Sequence, residues 1–177
     1  MKRLISARGA DRLYGDLLIL LAAVSAIAPL FAEATLAWAL FAAGIAGVWW
    51  IALDRTVHGF LAAVGWTLVS LGLGLHLAFQ IGVDVLPLEG TLAAGFILLG
   101  VSELFFGVER YRHRPMGRCA LIVGAAVAIG FGIAVPLALP QLPDWLISSA
   151  VAVMLGAFGV GLLLGARTAG RNQRPGV

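Results

Sequence analysis

Six apolar stretches joined by short polar connections leave this 177-residue chain few folds to choose from. They run approximately over Leu13–Ala32, Leu36–Leu53, Phe60–Phe79, Thr91–Val108, Cys119–Leu139 and Trp145–Gly165. Each is close to the ~20 residues that a helix needs to cross a ~30 Å hydrocarbon core. An extended segment in lipid would leave its backbone polar groups unpaired, so the spans are expected to be α-helices. Strand-length alternation of polar and apolar residues is absent, which argues against a β-barrel. Only 12% of the residues are charged and 61% are hydrophobic. A soluble domain carries about 25% charged residues, and this chain has too few to cover a water-facing surface. The expected fold is therefore all-α: a polytopic membrane protein with six transmembrane helices.

The charges set the orientation. Of the 12 Lys and Arg residues, four precede the first span, Arg55 follows the second, four lie between the fourth and fifth, and three follow the sixth. The other three connections hold only the acids Glu33, Asp84, Glu89 and Asp144. By the positive-inside rule the basic side is cytoplasmic, so both termini are expected inside. Trp38 and Trp145 fall at the outer interface and Tyr14, Trp49, Trp50 and Tyr111 near the inner one, depths that suit an apolar ring with a polar tip. Trp66 lies slightly deeper.

The chain repeats itself. Gly44, Gly100 and Gly156 are 56 residues apart, within the related stretches FAAGIAGVWWIALDR, ILLGVSELFFGVERYR and VMLGAFGVGLLLGAR. Three tandem helical hairpins follow, at about 13–55, 58–112 and 114–167, in one six-helix membrane domain. Residues 1–12 read as a cytoplasmic N-terminal segment and 168–177 as a frayed cytoplasmic tail. The first span followed by Ala32-Glu33-Ala34 resembles a cleavable signal, but it also completes the first hairpin, so it is read as a span. Pro29, Pro87, Pro140 and Pro143 mark outer turns, and Pro136 should kink or end the fifth helix.

Glycines inside these helices read as packing surfaces, because small residues let backbones approach in lipid. Gly44, Gly100 and Gly156 head that list. Helical spacing also groups Gly65, Val69, Gly72, His76 and Gln80 on the third helix. Phe96, Gly100, Glu103 and Gly107 share a face of the fourth; Ala152, Gly156 and Gly159 share one on the sixth, where Gly161 and Gly165 make a second seam.

Three polar residues within the spans could carry chemistry: Glu103, His76 and Asp16. Glu103 falls roughly 9 Å from the inner end of its helix at 1.5 Å per residue. An acid there must face protein, a cation or water. Two roles fit: a structural bond, for instance to Arg55, Ser102 or Thr67, or a protonation and transport role. His76 near the outer end could titrate as an acid sensor or serve as a packing residue. Asp16 is shallower and could pair with Arg12 or stay hydrated. His58 and His113 lack metal-ligand spacing.

No metal or cofactor is expected, and one cysteine, Cys119, excludes an intrachain disulfide or a cysteine metal cluster. No nucleophile elbow, zinc-protease, phosphate-loop or dinucleotide motif is present, so no catalysis is expected. The pI of about 9.8 would fit nucleic acid, but the cations are scattered over helix ends and topology explains them better. The expected partners are the lipid bilayer and a second copy or another membrane protein.

Three hairpins of about 56 residues, a glycine-rich start such as Gly65-Trp66, a proline near the outer turn and a second helix running through a glycine toward an arginine resemble the HdeD family. These are short-repeat membrane proteins named after an enteric acid-resistance protein. The resemblance covers about residues 12–170. It implies an inner-membrane protein supporting acid or envelope stress tolerance without catalysis, and it brings no catalytic residues. The copies here are uneven, since Glu103 takes the place of Gly47 and Gly159. That acid keeps open the alternative of a small proton- or cation-coupled transporter or channel. Three tandem hairpins share one orientation, unlike the inverted repeats of many transporters.

Overall fold

In the computed structural model the described residues are 7–27, 34–53, 59–79, 88–112, 115–138 and 144–171. They form α1 (Ala7–Ile27), α2 (Ala34–Leu53), α3 (Phe60–Phe79), α4 (Leu88–Arg110), α5 (Pro115–Ala138) and α6 (Asp144–Arg171), with no strand among them. Helices α2 to α6, five in number, contain stretches long and apolar enough to cross a bilayer. By fold class the chain is an integral membrane protein. Helix α1 is not among the five, because Arg8, Asp11, Arg12 and Asp16 crowd its first half. It starts at Ala7 rather than Leu13, and Ala10 and Asp11 are buried, so the N-terminal polar segment is partly built into the bundle. At the other end α6 continues through Thr168 to Arg171, where a frayed tail was expected. Pro136 lies within the last turn of α5. Glu33, Arg55, His58, Gln80, Asp84, His113, Pro29, Pro87, Pro140 and Pro143 lie outside the described residues, as do the side chains of Glu89 and Asp144.

Each helix packs on the next in sequence and α6 packs back on α1, closing the six into a ring. The most extensive contacts are α4 with α5, α1 with α6 and α2 with α3. The repeat therefore does not coincide with the tightest pair: the second helix of one repeat packs hardest on the first helix of the next. The glycines explain this. A methyl on Gly44 would lie 2.6 Å from the Leu71 backbone nitrogen and Cα. Gly74 presses on the Phe41 backbone in the same seam. Between α4 and α5, a methyl on Gly100 would lie 2.8 Å from the Ala125 carbonyl and one on Gly132 2.8 Å from that of Ala93. Between α1 and α6, Gly15 and Gly159 each face the other's carbonyl, at 2.9 and 2.7 Å from a methyl. Such approach gains dispersion along the whole seam.

Gly156 faces α1, where a methyl would meet Ala22 in ordinary contact at 3.5 Å. One glycine expectation fails. Gly72 is exposed with nothing within 4 Å, because α3 turns Leu71 and Gly74 toward α2 and Gly72 outward. The seam of Gly161 and Gly165 stands, against Leu121 and Tyr111.

The middle of the ring is filled. Trp66 stacks on Phe158 with centroids 4.5 Å apart, and Tyr14 stacks on Trp50 at 4.9 Å. Phe106 joins Trp50 and Phe158 at 5.6 and 5.3 Å. Aromatic pairs at these separations add about 0.5–1.5 kcal/mol each beyond burial. Trp38, Trp49 and Trp145 are exposed as an interfacial belt requires, but Tyr14, Trp50 and Tyr111 are buried. These three belong to the core rather than to the belt.

Candidate functional site

Two polar constructions lie inside the ring. The first is at the end that carries Arg12, Arg110, Arg112 and Arg118 (the basic end). Asp11 of α1 accepts hydrogen bonds from Trp50 Nε1 at 2.9 Å and from Arg110 Nη2 at 3.0 Å to Oδ1 and 2.8 Å to Oδ2. The Arg110 side chain is 15% exposed and that of Asp11 9%. The guanidinium also lies over the Trp50 ring, 6.0 Å from its centroid, and over Phe106 at 5.6 Å. That is cation–π range. One turn along α1, the Tyr14 hydroxyl donates to the Ala43 carbonyl at 3.0 Å.

The local sequence produces this arrangement. Asp11, Tyr14 and Leu18 share one helical face, so the acid enters the core with them. Arg110 ends α4, where its charge opposes the helix dipole. The bridge joins α1 to α4, which lie opposite each other in the ring, while Trp50 brings in α2. One residue thus comes from each of the three tight pairs: Asp11 from α6–α1, Trp50 from α2–α3 and Arg110 from α4–α5.

The second construction is Glu103. It is fully buried, and neither carboxylate oxygen has a hydrogen-bond partner among the described residues. The structural bonds to Ser102 and Thr67 are not made; Ser102 faces Gly65 across the α3–α4 seam and Thr67 packs on Gly47. A methyl on Gly124 of α5 would collide with the Glu103 carboxyl and lie 2.8 Å from the Ala157 Cβ of α6. The carboxyl occupies room that Gly124 leaves open. Gly47 and Gly159, its counterparts in the other repeats, also face the neighbouring odd-numbered helix, at Thr67 and Gly15.

The three expected polar residues do not meet. Asp16 is exposed, and His76 is buried near the far end of α3, where it is not a free side chain. Sequence reasoning missed Asp11, absorbed into a charge-rich terminus, and with it the roles of Arg110 and Trp50. The available signal was the i, i+3, i+7 run of Asp11, Tyr14 and Leu18 on an otherwise apolar face. Among the described residues no group of three or more His, Cys, Asp or Glu could hold a metal ion.

The fold defines a class, the polytopic α-helical membrane proteins, and the polar latch and buried acid set this chain's particulars within it. No family model matches the chain, and no solved structure matches it.

Proposed function

We propose that this is a six-span inner-membrane protein of the HdeD-like type, with both termini cytoplasmic, which supports acid or envelope stress tolerance without catalysis. The packed interior carries the non-catalytic part of this reading: aromatic rings from α1, α2, α3, α4 and α6 fill the ring's middle. Such a core makes a scaffold for lipid and partner contacts rather than a reaction chamber. One-sided placement of the basic residues supports the orientation, and the repeat's resemblance supports the stress role. Survival of a deletion strain after acid challenge tests it, with complementation by wild type, Glu103→Gln and His76→Ala. Rescue by all three is expected. Equal survival of the deletion strain and wild type at every pH would remove the stress role.

A second reading, a small proton- or cation-coupled transporter, draws on one observation: the Glu103 carboxyl is buried without a partner among the described residues. Purified protein in proteoliposomes should then carry a proton or cation flux that Glu103→Gln abolishes. A flux equal to that of empty vesicles would end this reading.

A further inference from the structure

We propose that Glu103 is a proton-binding site built into the α4–α5 seam, and that it takes a proton to the exclusion of metal cations. Both of its oxygens are sealed from solvent and without a hydrogen-bond donor among the described residues. A bare carboxylate in such surroundings is too costly to persist, so something positive must sit on it. The walls decide what. A calcium ion asks for 6–8 oxygen ligands and magnesium for a full octahedron. Glu103 instead faces the Gly124 backbone and the Ala157 methyl. A proton needs one oxygen and no further ligand, and that is what the site offers.

Nearby charges do not substitute for the proton. Among the described side chains, the charged and titratable groups on the packed helices are Arg118 and Cys119 on α5, His76 on α3, and Glu109 and Arg110 on α4 itself. Arg118 is six residues before Gly124, about 9 Å along the axis. Arg110 is committed to Asp11. None of the described side chains pairs with Glu103.

The repeat shows what the acid adds. In the other two copies this position is glycine: Gly159 meets the Gly15 backbone, and Gly47 meets the Thr67 side chain and the Tyr14 hydroxyl rather than a carboxyl. Of the three equivalent positions, only the one in the α4–α5 seam holds a carboxyl, so a proton gained or lost there is felt in that seam. The proposal names the ion for the transport reading, and it stands whether or not that proton moves.

Infrared spectroscopy of the protein in lipid bilayers tests it, comparing wild type with Glu103→Gln across pH and with sodium, potassium or calcium added. A protonated-carboxyl stretch is expected in wild type and absent from the variant. Cations should leave it unchanged, and only raised pH should convert it to carboxylate bands. Should that variant not fold, 13C-glutamate labelling of a chain with Glu33, Glu89 and Glu109 replaced by glutamine gives the same answer, since the shifted stretch can then come from Glu103 alone. Carboxylate bands at every pH, or loss of the acid stretch on adding any of the cations, would overturn the proposal. Flux in the same vesicles is a separate readout: a carboxyl stretch without flux removes transport and leaves the proton site standing.

Discussion

The seams between repeats and the seams within them are built differently. Between repeats, the closest glycines reach the backbone of the neighbouring helix: Gly44 on Leu71, Gly132 on Ala93 and Gly15 on Gly159, with Gly47, Gly107 and Gly124 meeting side chains beside them. Within the second repeat, glycine meets side chain: Gly65 on the Ser102 hydroxyl and Gly95 on Leu73. An open groove of about 280 Å³ runs along that same α3–α4 seam, lined by Leu61, Val101, Ser102 and Phe105. The third repeat is intermediate, since Gly117 approaches the Gly161 carbonyl between α5 and α6. Genetic repeat and mechanical unit are thus out of step by one helix. Three tight pairs, each spanning a repeat boundary, close the ring, and the Asp11–Trp50–Arg110 latch takes one residue from each.

The largest effect should come from separating the pairs rather than splitting one. Asp11→Ala removes the carboxylate that Arg110 pairs with, at a partly buried position beside Trp50 and Phe106. Losing one partner of a buried pair costs about 3–5 kcal/mol. Unfolding of the detergent-solubilised protein should show that loss, and replacing Arg110 by Met in the same chain should recover part of it. A cost no greater than that of Asp16→Ala at its exposed position, within about 0.5 kcal/mol, would mean that the latch does not hold the pairs together.

Next in size is the same substitution placed in the two kinds of seam. Gly74→Ala and Gly132→Ala force a methyl into backbone of the neighbouring helix, at Phe41 and Ala93. Overpacking of this kind costs about 1–3 kcal/mol. Gly65→Ala meets the Ser102 hydroxyl at 3.0 Å and Gly95→Ala the Leu73 methyls at 3.0 and 3.2 Å. Those side chains can turn aside, so the cost should be smaller. Equal losses at all four positions in the same unfolding assay would erase the distinction between seams.

Glu103 and Gly124 sharpen the comparison at one point. Gly124→Ala drives a methyl into the Glu103 carboxyl, and its cost should also be about 1–3 kcal/mol. Shortening the acid in the Glu103→Ala, Gly124→Ala double variant removes the collision. The pair should therefore be strongly non-additive, since residues in contact couple by about 0.5–3 kcal/mol. Additive losses in a double-mutant cycle would place the carboxyl elsewhere than over Gly124.

Much of this was readable from residues alone. Helix identity followed from apolar runs, and α3 has the expected bounds, Phe60–Phe79. The buried face of Phe96, Gly100, Glu103 and Gly107 followed from helical spacing. What failed shares one cause. Periodicity says which residues share a face, not which neighbour that face meets. It put Gly72 on a packing stripe, and it did not show that the tightest pairs span the repeat boundaries, because ring closure by α1 on α6 is a long-range fact. Asp11 was lost for a related reason: beside Arg8 and Arg12 an acid looks solvated until Arg110 arrives from 99 residues away.

The smallest effect should appear where no seam exists. Gly72 on α3 and Gly130 on α5 have nothing within 4 Å of an added methyl and are exposed. There a glycine forfeits helix propensity without gaining close approach, and alanine is favoured by about 0.5–1 kcal/mol in a helix interior. Gly72→Ala and Gly130→Ala should therefore be neutral or slightly stabilising by thermal unfolding, in the opposite direction to Gly74→Ala two residues away. If instead either variant destabilises the protein in bilayers but not as a detergent-isolated monomer, that outward face is a seam as well, closed by a second copy. The small residues would then mark contact between rings by the same physics that closes each one.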